Sequence, residues 1–447
     1  MALLGCGHNE IHSILLSNAS REFIGIIVLF LNLCFSHSFL PEDLLKGDVL
    51  PLIKDKKGNK FCSRNYRPIM KSSCILKLLE YHLLSIIEEK VNVSFNQFGF
   101  TKGNSTTDAC FLLKEIINNN ISKKSKVYAH FIDLSKAFDM VNYNLLINKL
   151  IDTGIPGDIT KLIYVYLNNQ NARIVWNNIK GFYKKINTGV RQGGILSPLL
   201  FKIYINELLM KFNELEQGCK LGISKLNILA YADDVVIFCN TYEGLNELFV
   251  ELEKFLNNNY LKLNSNKSKV VIFQRKRQNF DNDAVILGNK EFELVPFYNY
   301  LGHIISYDLD DERDVKNKLD TFLKRFHFTF RNFNRLELSC QLYLFNAFSS
   351  PYYGLSLWNS KNIFRKSFFK TFHVCFSKAL KMMVGCPKYS SSHNVADFCQ
   401  QFLFKHGVNL IQVNYLHRML QHHHSLININ LVFLKNGLFF RQVYNNL

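Results

Sequence analysis

The residues best able to do chemistry are two adjacent acids within Asn227-Ile228-Leu229-Ala230-Tyr231-Ala232-Asp233-Asp234-Val235-Val236-Ile237-Phe238. Apolar, β-prone runs flank them, so the stretch predicts a hairpin with Asp233 and Asp234 at its tip. Two like charges about 4 Å apart repel by about 4 kcal/mol at an effective dielectric near 20. A cation beside them removes that cost, and hard divalent cations take carboxylate oxygens. Taken alone, Asp-Asp in a turn is more often a solvated turn. A third acid changes the balance: Val127-Tyr128-Ala129-His130-Phe131-Ile132-Asp133 reads as a strand ending on a carboxylate, 100 residues before Asp233. An acid at the mouth of a buried strand is a poor core residue unless it is paired or bound to metal. Three such carboxylates suit two divalent cations roughly 3.5–4 Å apart, which activate a hydroxyl and steady a leaving group in phosphoryl transfer.

Other elements must position these acids and their substrate. Thr188-Gly189-Val190-Arg191-Gln192-Gly193-Gly194-Ile195-Leu196-Ser197-Pro198 is a loop whose paired glycines allow a ligand or backbone to come close. Ser197 is expected to cap, and Pro198 to open, a helix to about Glu214. Arg191, Gln192 and Gly193 sit on the loop, with Arg191 and Gln192 open to phosphate or sugar; a loop without ligand is an equal reading of these residues. Asp48 to Lys54 reads as a strand, Asp55 to Lys60 as a turn, and Asn65-Tyr66-Arg67-Pro68-Ile69 as the entry to a helix running to about Glu89. Lys54 and Arg67 flank that turn as a candidate triphosphate clamp, because Lys and Arg bind phosphate; spacing alone favours two solvated charges. Asn96 to Asp108 interleaves basic and aromatic residues, as a nucleic-acid contact would, a capped surface loop being an equal reading, and Ser105 or Thr106 should cap the helix Asp108 to Asn118. Leu134 to Asp139 turns into a helix reaching about Asp152, with Asp139 favouring the helix dipole. Beyond the hairpin, a helix is expected from Tyr242 to Asn257. Leu261 to Lys269 then leads into the strand Val270 to Phe273, and Tyr298 to Ile305 form a strand and turn. Helices follow from about Asp310.

Of the 447 residues, 48% are apolar, which makes the chain globular and not disordered. The net charge of +18 suits an anionic polymer, nucleic acid before membrane. From Leu338 to Leu447 eleven Lys and Arg face one acid, Asp397. Within that region Lys366, Lys370, Lys378 and Lys381 share one helical arc, opposite Phe364, Phe368, Phe372, Phe376 and Leu380. With no acid nearby, the basic stripe reads as lying on nucleic acid. His422-His423-His424 reads as incidental, since adjacent helical residues point different ways. The eleven cysteines show no Cys-x-x-Cys pair and read as reduced thiols of an intracellular protein, in nucleus or cytoplasm. The apolar run Phe23 to Phe35 is short for a membrane span and is expected to be a buried helix; a membrane is not an expected partner.

Seven segments in order resemble the reverse transcriptase of non-LTR retrotransposons, the long-interspersed-element class. They are Pro51-Leu52-Ile53-Lys54 with Asn65-Tyr66-Arg67-Pro68-Ile69; Gln97-Phe98-Gly99-Phe100; Phe131-Ile132-Asp133-Leu134-Ser135-Lys136-Ala137-Phe138-Asp139; Arg191-Gln192-Gly193-Gly194-Ile195-Leu196-Ser197-Pro198; Tyr231-Ala232-Asp233-Asp234; Leu263-Asn264 with Lys267; and Tyr300-Leu301-Gly302. The resemblance implies an α+β right-hand polymerase. Residues 1–45 would form an N-terminal helical segment, 46–305 fingers and an antiparallel, ferredoxin-like palm, and 306–447 a helical thumb with a basic end. Asp133, Asp233 and Asp234 would hold two Mg²⁺ ions, Mn²⁺ being a substitute. Gln192 would touch the incoming dNTP, Phe138 would lie under its sugar, and Lys267 would protonate the pyrophosphate. RNA template, DNA primer and dNTPs would be the partners. Relatives carry an endonuclease, and many a zinc knuckle; neither is visible here, so endonuclease activity is not expected of this chain, which looks like part of a larger element. A non-catalytic RNA-binding relic, an RNA-directed RNA polymerase and a group II intron maturase are the competing readings. The intact acids oppose the first and Phe138 the second.

Overall fold

The computed structural model describes residues 13–275, 284–350 and 352–421; His422, His423 and His424, with Lys435 and Arg441 of the basic tail, lie outside them. The chain forms two compact units, each assembled from three stretches of sequence. The first takes residues up to Phe100, Asp133–Leu215 and Glu251–Asn264; the second takes Thr101–Ile132, Glu216–Val250 and the described residues from Ser265 onward. Both mix helices and strands, as the α+β class requires.

In the first unit, strands β1 (Lys46–Ile53), β2 (Tyr66–Lys71), β4 (Asn171–Trp176), β5 (Ile179–Lys180) and β6 (Lys184–Lys185) form a sheet in the order β2-β1-β4-β5, with β6 also on β4. Asn65 to Ile69 therefore does not enter a helix. β2 pairs antiparallel with β1, Pro68 facing Pro51. Counting from the Lys54 N–H to Asn65 C=O bond of 2.8 Å, the two prolines fall on a pair that exchanges no hydrogen bonds, so neither missing N–H is felt. The helix starts later, as Cys74–Lys90, where the Ser73 hydroxyl accepts the Leu76 N–H at 3.0 Å. Asp139 likewise lies in a short 3₁₀ turn, Ala137–Met140, and a separate helix follows at Tyr143–Asp152. The apolar run folds as the helix Arg21–His37, but only Ile27 and Cys34 are buried along it. Ile24, Ile26, Val28, Leu29 and Leu33 are exposed. A helix apolar all round, packed on one side, leaves its other apolar residues in solvent. Among the described residues, no helix is long and apolar enough to cross a membrane.

The second unit is built on a six-stranded sheet. It joins β3 (Val127–Asp133), β9 (Ile228–Tyr231), β10 (Asp234–Cys239), β11 (Lys269–Phe273), β12 (Ala284–Leu287) and β13 (Lys290–Leu294) in the order β12-β13-β11-β3-β10-β9. Two hairpins, β7 (Cys219–Leu221) with β8 (Ser224–Leu226) and β14 (Phe297–Tyr300) with β15 (His303–Ser306), stand apart from it. β3 runs antiparallel to β11, from Lys269 opposite Phe131 to Phe273 opposite Val127. The helix Thr106–Ser122 begins in a capping box, with Ser105 and Asp108 satisfying each other's backbone N–H groups.

The later helices pack on phenylalanine. Phe322, Phe326, Phe345, Phe372, Phe376 and Phe404 share one buried cluster, in which Phe372 and Phe404 stack at 4.1 Å. Buried charges tie this cluster's leading helix, Glu312–Phe333, to the rest of the unit. Asp314 accepts the Trp358 indole N–H at 2.7 Å and pairs with Lys318 and with His303 on β15. Burial pushes the Asp314 carboxyl up, but His303 and Lys318 outweigh it and hold the group well below the usual carboxylate range. Lys114 bridges to Asp311 at 2.6 Å.

The basic stripe is less open than its local sequence implies. Lys366 bonds Asp310 at 2.6 Å, and Arg418 forks onto Asp108. The balancing acids come from distant sequence, so these two cations are engaged within the protein. Lys370 and Lys378 are exposed, opposite the buried Phe372, Phe376 and Leu380.

One buried group makes stability pH-dependent. His130, on β3, is fully buried 4.3 Å from the ring of Phe292, and neither of its ring nitrogens has a hydrogen-bond partner. Burial pushes its pKa down to about 3. The folded state therefore holds a neutral imidazole, while the unfolded chain takes up a proton below pH about 6.5. This contribution to stability is complete above the unfolded value and is lost as pH falls, at about 1.4 kcal/mol per unit. Between pH 7 and pH 5 the wild-type chain should lose about 2 kcal/mol more than His130→Leu in urea unfolding. Equal losses in the two proteins would refute the neutral, desolvated imidazole.

Candidate active site

The two adjacent acids stand at the tip of a tight hairpin, as their flanking sequence predicts. Tyr231 on β9 pairs with Asp234 on β10, leaving Ala232 and Asp233 as a two-residue turn. Ala232 is buried at φ 58°. A positive φ at the first turn position is what a type II′ hairpin needs and what glycine usually supplies, so alanine here costs about 1–2 kcal/mol. Asp234 is exposed and Asp233 half-buried. β10 lies beside β3, which ends on Asp133. A polar cleft of ≈ 200 Å³ opens next to Asp234, lined by Phe131, Tyr298, Asn299 and Gly302 among others.

Asp133 is braced from a distant segment. The side-chain amide of Asn264 donates to Asp133 Oδ2 at 2.8 Å, and its backbone N–H donates to the Asp133 carbonyl at 2.9 Å. The Ser135 N–H donates to the Lys262 carbonyl at 2.7 Å, so the chain just past the strand end is held like a short ladder. Lys267 is exposed on the turn that leads into β11. Among the described residues no three His, Cys, Asp or Glu side chains form a ready-made metal cluster. The donor set fits magnesium all the same: it is all carboxylate oxygen, and Mg²⁺ takes one or two carboxylates while keeping waters and substrate phosphates.

The glycine loop is locked into the first unit by backbone. The Gly189 N–H donates to the Val141 carbonyl at 2.9 Å, and the Val190 N–H to the Phe138 carbonyl at 2.8 Å. A Cβ on Gly189 would lie 2.7 Å from Asp139 Cα, at φ 87°, so only glycine fits. The Met70 N–H of β2 donates to the Gln192 carbonyl at 2.7 Å, and a Cβ on Gly193 would lie 3.0 Å from the Met70 carbonyl. The loop thus joins the 3₁₀ turn to the strand that carries Arg67. Arg67 faces Leu52 across the β1–β2 ladder, and Lys54 lies just past the end of β1; both are exposed. Phe138 is half-buried, stacked on Phe201 at 4.5 Å and edge-on to Phe100 at 6.4 Å.

Two expectations for the loop need correction. Arg191 is not open to phosphate. It is 4% exposed, donates from Nε to Gln170 at 2.8 Å and from Nη2 to the Leu45 carbonyl at 2.6 Å, and lies over the Tyr166 ring. The turn that aims Gln192 outward aims its neighbour inward. Ser197 makes no cap: the residue before the helix Ser197–Glu214 is Leu196, and the buried Ser197 hydroxyl has no partner.

Glu80, unnoticed in the sequence, holds the loop from beneath. It is fully buried on the helix Cys74–Lys90. Its carboxylate accepts the Tyr166 hydroxyl at 2.7 Å and the Ile195 N–H at 2.6 Å. Burial, then Glu80 itself, raises the Tyr166 pKa well above its ordinary value. A signal did exist, because Glu80 sits four residues after Leu76 and three before Leu83, in the phase of the buried face.

Within the six-stranded sheet β3 ends on Asp133, and β10, its neighbour, begins on Asp234. The family described as "Reverse transcriptase (RNA-dependent DNA polymerase)" matches residues 53–305, and the chain belongs to it, in the non-LTR retrotransposon group. The chain mixes helices and strands, as the α+β class does, and members of that family generally use divalent metal ions.

The chain is 23% identical over 398 residues to the probable RNA-directed DNA polymerase from transposon X-element of Drosophila melanogaster, covering 85% of this chain and 42% of that protein. It is 21% identical over 427 residues to the RNA-directed DNA polymerase from mobile element jockey of the same species, covering 92% and 45%. It is 28% identical over 188 residues to the retrovirus-related Pol polyprotein from type-1 retrotransposable element R2 of Nasonia vitripennis, covering 42% and 18%. The chain therefore spans less than half the length of these relatives.

Glu80→Ala should cost about 3 kcal/mol or more, because it leaves the Tyr166 hydroxyl and the Ile195 N–H buried without an acceptor. Glu80→Gln, which keeps one acceptor, should cost about 1–2 kcal/mol. Thermal and urea unfolding measure both; an alanine variant within about 0.5 kcal/mol of wild type would remove Glu80 as the brace.

Proposed function

We propose that this chain is an RNA-directed DNA polymerase that copies retrotransposon RNA into DNA, using an RNA template, a DNA primer and dNTPs. The observation that carries the reading is the acidic hairpin tip of β9 and β10 beside the strand that ends on Asp133, in a chain of the reverse transcriptase family. In this reading the described residues within 46–305 are fingers and palm, those within 306–447 the helical thumb and basic C-terminal region, and those within 1–45 an N-terminal helical segment.

Asp133, Asp233 and Asp234 would hold two Mg²⁺ ions, or Mn²⁺ in their place. When bound, such ions supply charge neutralisation at the attacking 3′-hydroxyl and the departing pyrophosphate. The protein's own share is placement. Asn264 keeps one oxygen of Asp133 engaged and so orients the other. Lys54 and Arg67 offer exposed cations to the triphosphate, while Gln192 and Gly193 offer a side-chain amide and close backbone approach to the nucleotide. Lys267, exposed on the turn before β11, would deliver a proton to pyrophosphate. Phe138, stacked on Phe201, offers an aromatic plate to the sugar. Positioning and charge are most of what in-line phosphoryl transfer asks of a protein.

Asp233→Asn should lower primer extension on poly(rA)–oligo(dT) by at least about 100-fold with the melting temperature unchanged, since a lost metal ligand removes several kcal/mol of transition-state stabilisation. Extension at the wild-type rate in magnesium would overturn the assignment.

The sugar plate makes a separate prediction. Forcing a 2′-hydroxyl against a packed ring costs about 1–3 kcal/mol, roughly a five- to hundred-fold preference for deoxynucleotides. Phe138→Val should erase that preference while keeping DNA synthesis, read as kcat/KM for dGTP against GTP. If Phe138 only packs on Phe201, the variant loses about 1–4 kcal/mol of stability and the ratio stays put. An unaltered ratio in a folded, active variant removes the gate.

A further inference from the structure

Asp139 follows Phe138 in the 3₁₀ turn Ala137–Met140 and lies six residues beyond Asp133. Its carboxylate Oδ1 accepts a hydrogen bond from Gln192 Nε2 at 2.8 Å. From these facts we infer that Asp139 is a positioning residue for Gln192, fixing which end of that side-chain amide the incoming nucleotide meets. The inference rests on the reading that Gln192 contacts the nucleotide.

A glutamine amide has two nearly isosteric ends, one donating and one accepting. A glutamine held only by packing can turn either end toward a ligand. A carboxylate accepts and does not donate, so only the NH₂ end of Gln192 can face Asp139. The carbonyl Oε1 is thereby turned away from Asp139. Gln192 then leaves its carbonyl and at most one N–H for the nucleotide, so it offers an acceptor to a sugar hydroxyl or a base N–H, where a freely turning amide could offer both donors to a phosphate oxygen.

The contact is built into the backbone on both sides. Gly189 and Val190 donate to the carbonyls of Val141 and Phe138, which flank Asp139, and Gly189 lies against the Asp139 backbone with no room for a Cβ. On the far side, the Met70 N–H holds the Gln192 carbonyl. Both main chains are therefore set before the side chains meet. Asp139 and Gln192 are each half-buried, so the bond is partly shielded from water yet open to a ligand.

The test is a double-mutant cycle in single-nucleotide extension by the full chain, with KM for dNTP, kcat and melting temperature measured for each variant. Gln192→Ala should raise KM for dNTP. Asp139→Ala should raise it by about tenfold or more with kcat changed less than about twofold, as for a lost hydrogen bond to a charged acceptor. Asp139→Asn keeps an acceptor oxygen and should recover most of the affinity. Combined with Gln192→Ala, Asp139→Ala should add less than about twofold to KM, because the two side chains act as a unit.

A raised KM in Gln192→Ala with an unchanged KM in Asp139→Ala overturns the inference and leaves the nucleotide contact standing. Multiplying effects in the double variant do the same, and so does a drop in kcat and melting temperature without a change in KM; both mark Asp139 as a brace only. An unchanged KM in Gln192→Ala overturns the nucleotide contact, and the inference with it.

Discussion

The antiparallel ladder between β3 and β11, at the centre of the six-stranded sheet, is the interaction on which the rest depends. β3 has neighbours on both edges, and Val127, Ala129, His130, Phe131 and Ile132 along it are buried. A strand covered on both faces cannot slip by one residue without moving every side chain to the opposite face. Its register therefore decides where it ends, and it ends on Asp133. β10, on the other side of β3, starts on Asp234 directly after a two-residue turn. The sheet's hydrogen bonds carry carboxylates to its edge, a place that desolvation would otherwise deny them. The strained φ of Ala232 and the unbonded ring nitrogens of His130 are local costs borne by this arrangement.

A second constraint acts in the first unit, where charges are buried to make a loop rigid. Glu80 accepts the Ile195 N–H and the loop's own Arg191 donates to the Leu45 carbonyl, so a buried acid reaches into the loop and a buried cation reaches out of it. Taking either charge out of water is expensive, and hydrogen bonds to backbone and to Gln170 and Tyr166 offset that cost. The result is a loop whose main chain is set by fixed partners. Its half-buried Gln192 meets Asp139. The loop's glycines serve contact with the protein as much as contact with a ligand, since both Gly189 and Gly193 lie against backbone.

The charged groups of the second unit follow similar logic on a larger scale. Asp314, His303, Lys318, Lys114 and Asp311 join helices to a hairpin through buried ion pairs. Breaking such a set by removing one member is costlier than its net contribution suggests, because the remaining charges are left unpaired. Two cations of the C-terminal region, Lys366 and Arg418, are likewise engaged by acids far away in sequence. Net charge describes how the chain meets a polyanion from a distance. It does not say which cations are free to touch one.

By itself the sequence determined what local physics can decide. Short apolar, β-prone runs specified β3, β9, β10 and β11, and the β9–β10 tip formed where Asp233 and Asp234 interrupt the run. Ser105 or Thr106 was legible as a helix cap, of which Ser105 caps, and the order of short motifs specified the family. These features need only neighbours along the chain. The tertiary structure alone decided the rest. Tyr66 to Lys71 became a strand because β1 was there to pair with it. Arg191 turned inward because Gln170 and Leu45 offered acceptors. Asp139 and Glu80 became parts of the site because residues 53 and 115 positions away supplied their partners. A hydrogen bond between distant residues leaves no periodicity in sequence. Its existence depends on which backbones are brought within 3 Å, and that is settled only when the sheets and helices have packed.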